Sequence, residues 1–353
     1  MADPYRVLVV DDSPTSRQLL TAVLGADPRL QVVGQAENGA QAVRLAERLA
    51  PDVITMDVEM PELNGIEATA RIMEQTPRPI VVISAHHEAD VTLAFKALEA
   101  GAVTILQKPS GPAAPNFAAQ ADEIATTVAL MADIKVVRRW RRAAAEPAPA
   151  APSRPPNGRV LPVAQPIELV GIGASTGGPN AVATVLAGLG SAVEVPVLLV
   201  QHIAPGYHEG LASWLATCCA LPVRLACDDE RLPAGVVLVA PEGAHLGVSA
   251  DGRVRLSAAE PIKGHRPSAT HLFSTMASAY RDRGLGIILT GMGDDGAAGL
   301  AELKGAGGIV LAQDQASSVV YGMPAEAVAR GAVDRVAPVT ELASLTLGAI
   351  AER

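Results

Sequence analysis

Aromatic side chains and long apolar runs are scarce in this sequence of 353 residues. Phe, Trp and Tyr together make up 3% of the chain, which argues against the aromatic platforms that bind single-stranded nucleic acid. The formal net charge of −9 argues against nucleic acid or an anionic membrane as a partner, because both are themselves negative. No apolar run approaches the roughly 20 residues that span a bilayer. We therefore expect no membrane insertion and no nucleic-acid partner.

Cysteine is also rare, and its positions exclude two further kinds of protein. The three cysteines, Cys218, Cys219 and Cys227, form no disulfide framework, and their spacing matches no zinc site. The amino-terminal apolar run YRVLVV is too short for a secretory signal, and Asp11 and Asp12 follow it directly. We therefore expect a cytoplasmic protein in a reducing compartment.

Proline and alanine are concentrated in one segment, AAAEPAPAAPSRPPNGR at residues 143–159. Alternating Pro and Ala without apolar periodicity predicts an extended, semi-rigid linker. The segments on either side are each long enough to bury a core, since 49% of all residues are apolar. We predict a first domain at residues 1–125 (its last helix running as far as 142), a linker at 143–160 and a second domain at 161–353.

Short apolar runs alternate with segments of helical spacing in both halves of the chain. This alternation predicts an α/β fold with a doubly wound parallel sheet in each domain. Ser13 followed by Pro14 predicts the start of the first helix. The predicted strands are residues 5–10, 30–36, 52–56, 79–84 and 102–106 in the first domain and 168–172, 195–201 and 285–290 in the second, with 236–240 and 252–256 as strands of an inserted region.

Polar side chains suited to phosphoryl transfer follow successive predicted strands of the first domain. Asp11 and Asp12 follow the first strand, Asp57 the third, Ser84 the fourth and Lys108 the fifth. These positions meet at the carboxyl edge of a parallel sheet. Three carboxylates at one point need a cation between them, and a set of oxygen ligands suits Mg²⁺. Asp57 would then be a nucleophile that forms an acyl phosphate, with Ser84 and Lys108 binding phosphoryl oxygens.

Residues 5–125 resemble the receiver domain of response regulators, through VLVVDDSP, DVITMDVEMP, VVISA and LQKP. The resemblance implies a flavodoxin-like fold, phosphorylation of Asp57 by a histidine kinase, and Mg²⁺ held by Asp11, Asp12 and Asp57. One position departs from the pattern. Many receivers carry an aromatic switch residue three positions before the lysine, whereas this chain has Ile105 there.

The glycine-rich segment GIGASTGG at residues 171–178 allows two interpretations. A glycine turn after a strand can bind a dinucleotide, but the spacing G-x-G-x-x-x-G departs from the fingerprint G-x-G-x-x-G. The next predicted strand ends in Gln201 and His202, where a ribose-binding acid would be expected. Residues 173–177 instead match G-x-S-x-G, a strand-to-helix turn that exposes a nucleophilic serine, here Ser175. We therefore favour the nucleophile.

A candidate base and acid follow two other predicted strands of the second domain. His202 ends one strand, and Asp294 and Asp295 follow another in LTGMGDDG. If the strands are parallel, Ser175, His202 and an aspartate meet at one sheet edge, as a catalytic triad requires. The order Ser–His–Asp along the chain differs from the order Ser–Asp–His of the α/β-hydrolase fold. We therefore expect a different fold with convergent geometry.

The whole chain outside the linker resembles the chemotaxis protein-glutamate methylesterases, through GIGASTGGP, QHIAPG, HRPSATHLF, LTGMGDDGAAG and VVYGMPAEA. The resemblance implies a Rossmann-like catalytic domain with Ser175 as nucleophile, His202 as general base and Asp295 as orienting acid. Thr176 and Met292 match the positions that line the nucleophile and the oxyanion.

Four positions in these motifs either depart from the family pattern or allow two interpretations. Relatives often have Asn where this chain has Asp294, so we expect charge there to be dispensable. Thr270 stands where some relatives have Asp. His265 and Arg266 match the pattern but allow two interpretations, a wall on the substrate side or structural hydrogen bonding.

The resemblance implies an enzyme that hydrolyses glutamate methyl esters on methyl-accepting chemoreceptors, releases methanol and also deamidates glutamines. It implies a chemotaxis histidine kinase as phosphodonor, no cofactor for the esterase, and a receiver that covers the site until it is phosphorylated. Two alternatives remain. A transcription factor would need a DNA-reading helix pair and a basic second domain, and a docking protein without activity would not need Ser175, His202 and Asp295.

Overall fold

The computed structural model describes residues 3–84, 88–134 and 165–351. The chain divides into two units, one on each side of residue 150. The predicted linker, residues 143–160, lies outside the described residues. Within the described ranges no helix combines the length and the apolar character needed to cross a bilayer.

The amino-terminal unit is a five-stranded parallel sheet in which a helix follows each strand. The strand order is β2-β1-β3-β4-β5, so the predicted doubly wound α/β class is confirmed here. Its elements are β1 (Tyr5–Val10), α1 (Pro14–Gly25), β2 (Leu30–Ala36), α2 (Gly39–Leu49), β3 (Val53–Met56), α3 (Gly65–Gln75), β4 (Ile80–Ser84), α4 (Glu88–Ala100), β5 (Thr104–Gln107) and α5 (Phe117–Ala132).

Local sequence signals place the first three helices directly after their strands and loops. The side-chain oxygens of Ser13, Asn38 and Asn64 each accept a hydrogen bond from a backbone N–H in the first turn of α1, α2 and α3. Such caps satisfy one of the amide groups that a helix start leaves unpaired. The strands β1, β3 and β4 are buried at almost every position, which explains their continuous apolar sequence.

The carboxyl-terminal unit is built on a seven-stranded parallel sheet in the order β14-β13-β12-β6-β7-β9-β8, with a separate antiparallel pair β10-β11. The α/β prediction is confirmed here too. Its elements are β6 (Leu169–Ala174), α6 (Gly178–Leu189), β7 (Val197–Gln201), α7 (His208–Cys218), β8 (Val223–Leu225), β9 (Val237–Val239), β10 (His245–Val248), β11 (Val254–Ser257), α8 (Ala269–Ala279), β12 (Gly284–Ile288), α9 (Ala297–Gly305), β13 (Ile309–Gln313), α10 (Met323–Ala329), β14 (Arg335–Ala337) and α11 (Val339–Ala351).

One strand assignment from the sequence is wrong. Residues 236–240 were expected in an inserted region, but β9 lies inside the main sheet, where it pairs in parallel with β7 and β8. A three-residue apolar strand carries no local information about which neighbour it pairs with. The other predicted strand of that region corresponds to β11, which forms the antiparallel pair with β10.

The two glycines of the segment GIG in β6 allow helix α8 to lie close against the sheet. A Cβ atom added at Gly171 would overlap the sulfur of Met276, and one added at Gly173 would lie 2.9 Å from the Cβ of Ala269 and 3.2 Å from the ring of Phe273. Real Cβ atoms essentially never come closer than 3.0 Å to such neighbours, so a side chain at either position would require residues of α8 to shift. These glycines serve helix–strand packing, which is a use that dinucleotide-binding folds also make of glycine.

Candidate active site and phosphoacceptor site

Ser175 lies directly after β6, at the carboxyl edge of the seven-stranded sheet. Its backbone N–H donates to the carbonyl of Thr290 (3.0 Å), and its carbonyl accepts from the N–H of Gly178 (2.7 Å) and the side-chain amide of Gln201 (2.7 Å). These bonds tie the turn to the ends of both neighbouring strands, β12 and β7. Ser175 itself remains partly exposed, so solvent and substrate can reach it.

His202 follows β7, the strand next to β6. Its N–H donates to the carbonyl of Ala174 (2.9 Å) and its carbonyl accepts from the side chain of Gln201 (2.8 Å), which fixes its backbone beside Ser175. The ring Nε2 lies 2.9 Å from Oδ2 of Asp295. The other ring nitrogen, Nδ1, is buried and has no hydrogen-bond partner among the described residues. Nδ1 is therefore the nitrogen that can accept a proton.

Asp295 lies in the turn between β12 and α9, and its buried carboxylate faces the amino-terminal end of α8. Its carboxylate accepts hydrogen bonds from the Ser268 hydroxyl (2.7 Å) and from the N–H groups of Ala269 (2.7 Å) and Thr270 (3.0 Å). Burial alone would raise the pKa of Asp295, but the hydrogen bond and charge of His202, together with the bonds from Ser268 and Thr270, hold that pKa well below its usual range. The start of a helix also favours a negative charge. Asp295 therefore stays ionised against His202.

The adjacent carboxylate, Asp294, points to different partners. It forms ion pairs with the Lys263 ammonium and with Nη2 of Arg330 (3.4 Å), and it is partly exposed. Consecutive side chains in one turn thus diverge, and only Asp295 contacts His202. Ion pairs in contact with solvent contribute little stability.

The turn that carries Met292 packs directly against the serine turn. A Cβ added at Gly291 would lie 2.7 Å from the Cβ of Ser175, so glycine is needed for this close approach. Thr290 links the two turns further, because its hydroxyl donates to the carbonyl of Thr176 (2.9 Å). Met292 is the most exposed large apolar side chain among the described residues, at 45%. The structure therefore brings the turns that carry Thr176 and Met292 together beside Ser175.

The loop between β11 and α8 adds His265 and Arg266 to this region. The His265 ring stacks on His202, with ring centroids 4.0 Å apart and planes 4° apart. Burial, and secondarily the neighbouring His202, lowers the pKa of His265. Arg266 donates to the carbonyls of Ala258 and Ala259 (3.1 Å each), which gives it the structural hydrogen bonding considered from the sequence.

Two polar residues in this site were not singled out from the sequence. Gln201 bonds the carbonyls of both Ser175 and His202, and Ser268 both bonds Asp295 and caps α8. A signal was available for Gln201, because a buried amide at the end of the apolar run VLLVQ needs partners. For Ser268 the sequence showed only the pattern of a helix cap. That pattern does not indicate the contact with Asp295, which lies 27 residues further along the chain.

The acidic residues of the amino-terminal unit also converge at a sheet edge. One carboxylate oxygen from each of Asp11, Asp12 and Asp57 lies within 4.8 Å of the others. The Lys108 ammonium is 2.8 Å from Oδ2 of Asp11 and 2.7 Å from Oδ2 of Asp57. The other oxygen of Asp57 accepts from the N–H of Val58 (2.8 Å). Three carboxylates beside one ammonium form a set of oxygen ligands that fits a hard divalent cation.

Asp57 is one of the two buried carboxylates of this cluster, the other being Asp11. Burial raises the pKa of Asp57 to about 6, and Asp11 adds to the rise, although the charge and hydrogen bond of Lys108 oppose it. Ser84 is buried at the end of β4, next to this edge. Ile105 is buried in β5, opposite Val82 of β4.

The fold and the two sites define the class of protein. The amino-terminal unit has the sheet and the acidic cluster of a receiver. The carboxyl-terminal unit has a serine, a histidine and an aspartate at the carboxyl ends of three adjacent parallel strands, as in hydrolases with a serine nucleophile.

Comparisons with known proteins agree with this class. The family model "CheB methylesterase" matches residues 170–346, and "Response regulator receiver domain" matches residues 7–114. The chain is 49% identical to protein-glutamate methylesterase/protein-glutamine glutaminase 4 of Myxococcus xanthus, covering 97% of this chain and 96% of that protein. It is 51% identical to protein-glutamate methylesterase/protein-glutamine glutaminase 3 of Anaeromyxobacter dehalogenans, over 94% and 95%.

A solved structure extends the agreement to the fold of the second unit. The Thermotoga maritima CheB methylesterase catalytic domain is 34% identical, with a TM-score of 0.50, and the match covers 52% of this chain and 97% of that one. The chain belongs to the CheB methylesterase family. The predicted family is confirmed, and so is the prediction of a hydrolase with a receiver domain.

Asp57→Asn is expected to stabilise the receiver at neutral pH but not in acid. Because the pKa of Asp57 is raised to about 6 in the folded state, the folded protein keeps a proton that the unfolded chain has released. The free energy of unfolding therefore falls as pH rises through about 4 to 6, by up to about 3 kcal/mol. The side-chain amide in the Asp57→Asn variant does not titrate, so this loss of stability with rising pH disappears.

Differential scanning calorimetry in EDTA at pH 4 and pH 7.5 measures the effect. The unfolding transition of the receiver is identified as the one that shifts when Mg²⁺ is added. Asp12→Asn is the matched control, since that carboxylate is exposed, and its receiver transition should not show the gain at pH 7.5 that is expected for Asp57→Asn. A receiver transition in Asp57→Asn that is no higher than wild type at pH 7.5 would contradict the prediction.

Proposed function

We propose that this enzyme hydrolyses methyl esters of glutamate side chains on chemoreceptors and releases methanol, as an adaptation step of bacterial chemotaxis that phosphorylation activates. The observation that carries the proposal is the contact between His202 and the ionised Asp295 at the sheet edge next to Ser175. The names of the relatives, protein-glutamate methylesterase/protein-glutamine glutaminase, supply the substrate class.

Ser175 is the proposed nucleophile and His202 the proposed base. The Ser175 hydroxyl attacks the ester carbonyl while Nδ1 of His202 accepts its proton, because Nε2 is already bonded to Asp295. Asp295 fixes this tautomer and stabilises the imidazolium that forms. The imidazolium then gives its proton to the leaving methanol, and the same base activates the water that frees the acyl-enzyme.

The tetrahedral intermediate carries a negative oxygen that needs donors close to Ser175. The backbone at Thr176, and the glycine-flanked turn at Met292, are the proposed donors, because both adjoin Ser175. Donors of this kind contribute on the order of 3 kcal/mol to the transition state. Glutamine deamidation follows the same steps with ammonia as the leaving group, so one site can perform both reactions.

The receiver is the proposed control element, with Asp57 as phosphoacceptor and a chemotaxis histidine kinase as donor. The carboxylates of Asp11, Asp12 and Asp57 would hold Mg²⁺, which supplies positive charge for the phosphoryl oxygens when it is bound. Lys108 already contacts two of these carboxylates and would bind a phosphoryl oxygen, with Ser84 on the other side. Phosphorylation of the receiver then shifts the population toward a form with a higher esterase rate.

Two alternative functions receive no support. A transcription factor would read DNA with a helix pair, whereas the described part of the second unit is a seven-stranded α/β sheet. A docking protein without activity would have no need for a buried carboxylate that four hydrogen bonds hold against a histidine beside a partly exposed serine.

Ser175→Ala should lower methanol release from methyl-labelled receptor membranes by about 10³-fold or more, because the acyl-enzyme can no longer form. Ser278→Ala, which removes an exposed hydroxyl from the same domain, should match the wild type. Circular dichroism checks that both variants are folded. Substantial turnover in Ser175→Ala would remove Ser175 from its proposed role.

Substitutions at the neighbouring residues Asp294 and Asp295 can be compared directly, because each serves as the control for the other. Asp295→Asn should lower kcat by roughly 10² to 10⁴-fold, because the charge that holds the His202 tautomer and imidazolium is lost. Asp294→Asn should stay within about threefold of wild type, because its ion pairs are partly exposed. Steady-state methanol release measures both, and the reverse ranking would assign the acid to Asp294.

A small phosphodonor such as acetyl phosphate, added with Mg²⁺, should raise the esterase rate of the wild type and leave that of Asp57→Asn unchanged. The reason is that the amide cannot form the acyl phosphate. Asp122→Asn, an exposed aspartate of the same domain, should respond like the wild type. A stimulated Asp57→Asn would show that control does not pass through this carboxylate.

A further inference from the structure

The His265 ring forms a face-to-face pair with His202 that the proposed reaction has not used. Their centroids lie 4.0 Å apart and their planes differ by 4°. His265 is held by its backbone, which exchanges two hydrogen bonds of 3.0 Å with Ile262. The loop thus presents the ring to His202 from a fixed position.

Among the described residues, one side-chain hydrogen bond orients the His202 ring. Asp295 bonds Nε2, and Nδ1 has no partner among the described residues. A single bond at one edge fixes the distance between His202 and Asp295 but permits the ring to tilt about that bond. A second ring lying flat against the first removes this freedom, because tilting would force atoms of the two rings into overlap.

The stack also has a consequence for charge. Burial and the proximity of His202 lower the pKa of His265, which favours the neutral form of this ring. A neutral aromatic face attracts a cation that lies against it. His202 is cationic only after it has taken a proton, and the attraction therefore favours the transition state over the ground state.

We propose that His265 is a positioning residue for the general base: it keeps the His202 ring in the plane that directs Nδ1 toward Ser175 and stabilises the imidazolium through its aromatic face. The proposal rests on the proposed roles of Ser175 and His202. His265 need not contact the substrate. Both rings do line a cavity of about 160 Å³, so contact with substrate is the competing role, and it would appear in KM.

The test compares two substitutions by steady-state methanol release from methyl-labelled receptor membranes. His265→Phe keeps a flat, neutral aromatic ring and should retain kcat within about threefold. His265→Leu removes the aromatic face and should lower kcat by about tenfold or more, with KM unchanged, as expected for the loss of an interaction with a cation. Rescue by Phe distinguishes an aromatic face from a hydrogen-bonding imidazole.

His271→Leu is the matched control. His271 also stacks on a histidine of the same domain, His245, with centroids 4.9 Å apart, but outside the site. Its kcat should equal that of the wild type. Thermal unfolding of all three variants checks the fold, and a His265→Leu variant with lower stability is compared at a temperature where it is fully folded.

Each outcome decides one question. If His265→Leu keeps kcat, or if Phe fails to rescue it, the positioning role is wrong. If KM rises and kcat is constant, His265 contacts the substrate instead. If the wild type releases no methanol, or Ser175→Ala releases it normally, the proposed function itself fails, whatever the result at His265.

Discussion

The esterase site depends on a carboxylate held at the start of a helix. Asp295 accepts three hydrogen bonds from the first turn of α8 and its cap, and a fourth from His202. The three bonds within the first turn make a buried charge stable, and the fourth directs the imidazole. The position of the Asp295 carboxylate therefore depends on where α8 begins as well as on the turn after β12 that carries this residue.

The two domains treat a buried aspartate in opposite ways. In the receiver, Asp57 has one backbone donor and shares one lysine with Asp11, so burial dominates and its pKa rises to about 6. In the esterase, Asp295 has enough donors to outweigh burial, and its pKa falls. An under-stabilised carboxylate would suit the phosphoacceptor role proposed for Asp57, whereas a fully bonded one would suit the orienting role proposed for Asp295, which requires a lasting charge.

The sequence predicted most of what depends on strand order and strand ends. Parallel strands bring their carboxyl ends together, so Ser175, His202 and Asp295 could be placed at one edge without coordinates, as could Asp11, Asp57 and Lys108. The sequence did not predict the position of β9, because a short strand carries no local signal for its neighbours; the whole sheet determines that β9 pairs with β7 and β8. It also did not predict the stacking of His265 on His202, because a loop residue's distance from a strand end depends on the path of the loop.

The glycines at positions 171 and 173 affect the geometry of the active site, because they determine how closely α8 packs against β6. They allow α8 to lie against β6, and the first turn of that helix holds Asp295. Ser175 follows β6, and Asp295 is bonded to the first turn of α8. The distance between the two residues therefore depends on the close packing of β6 and α8, which the two glycines permit. A side chain at either position would push α8 away from β6 and so disturb the contact between Asp295 and His202, although neither of those residues had been substituted.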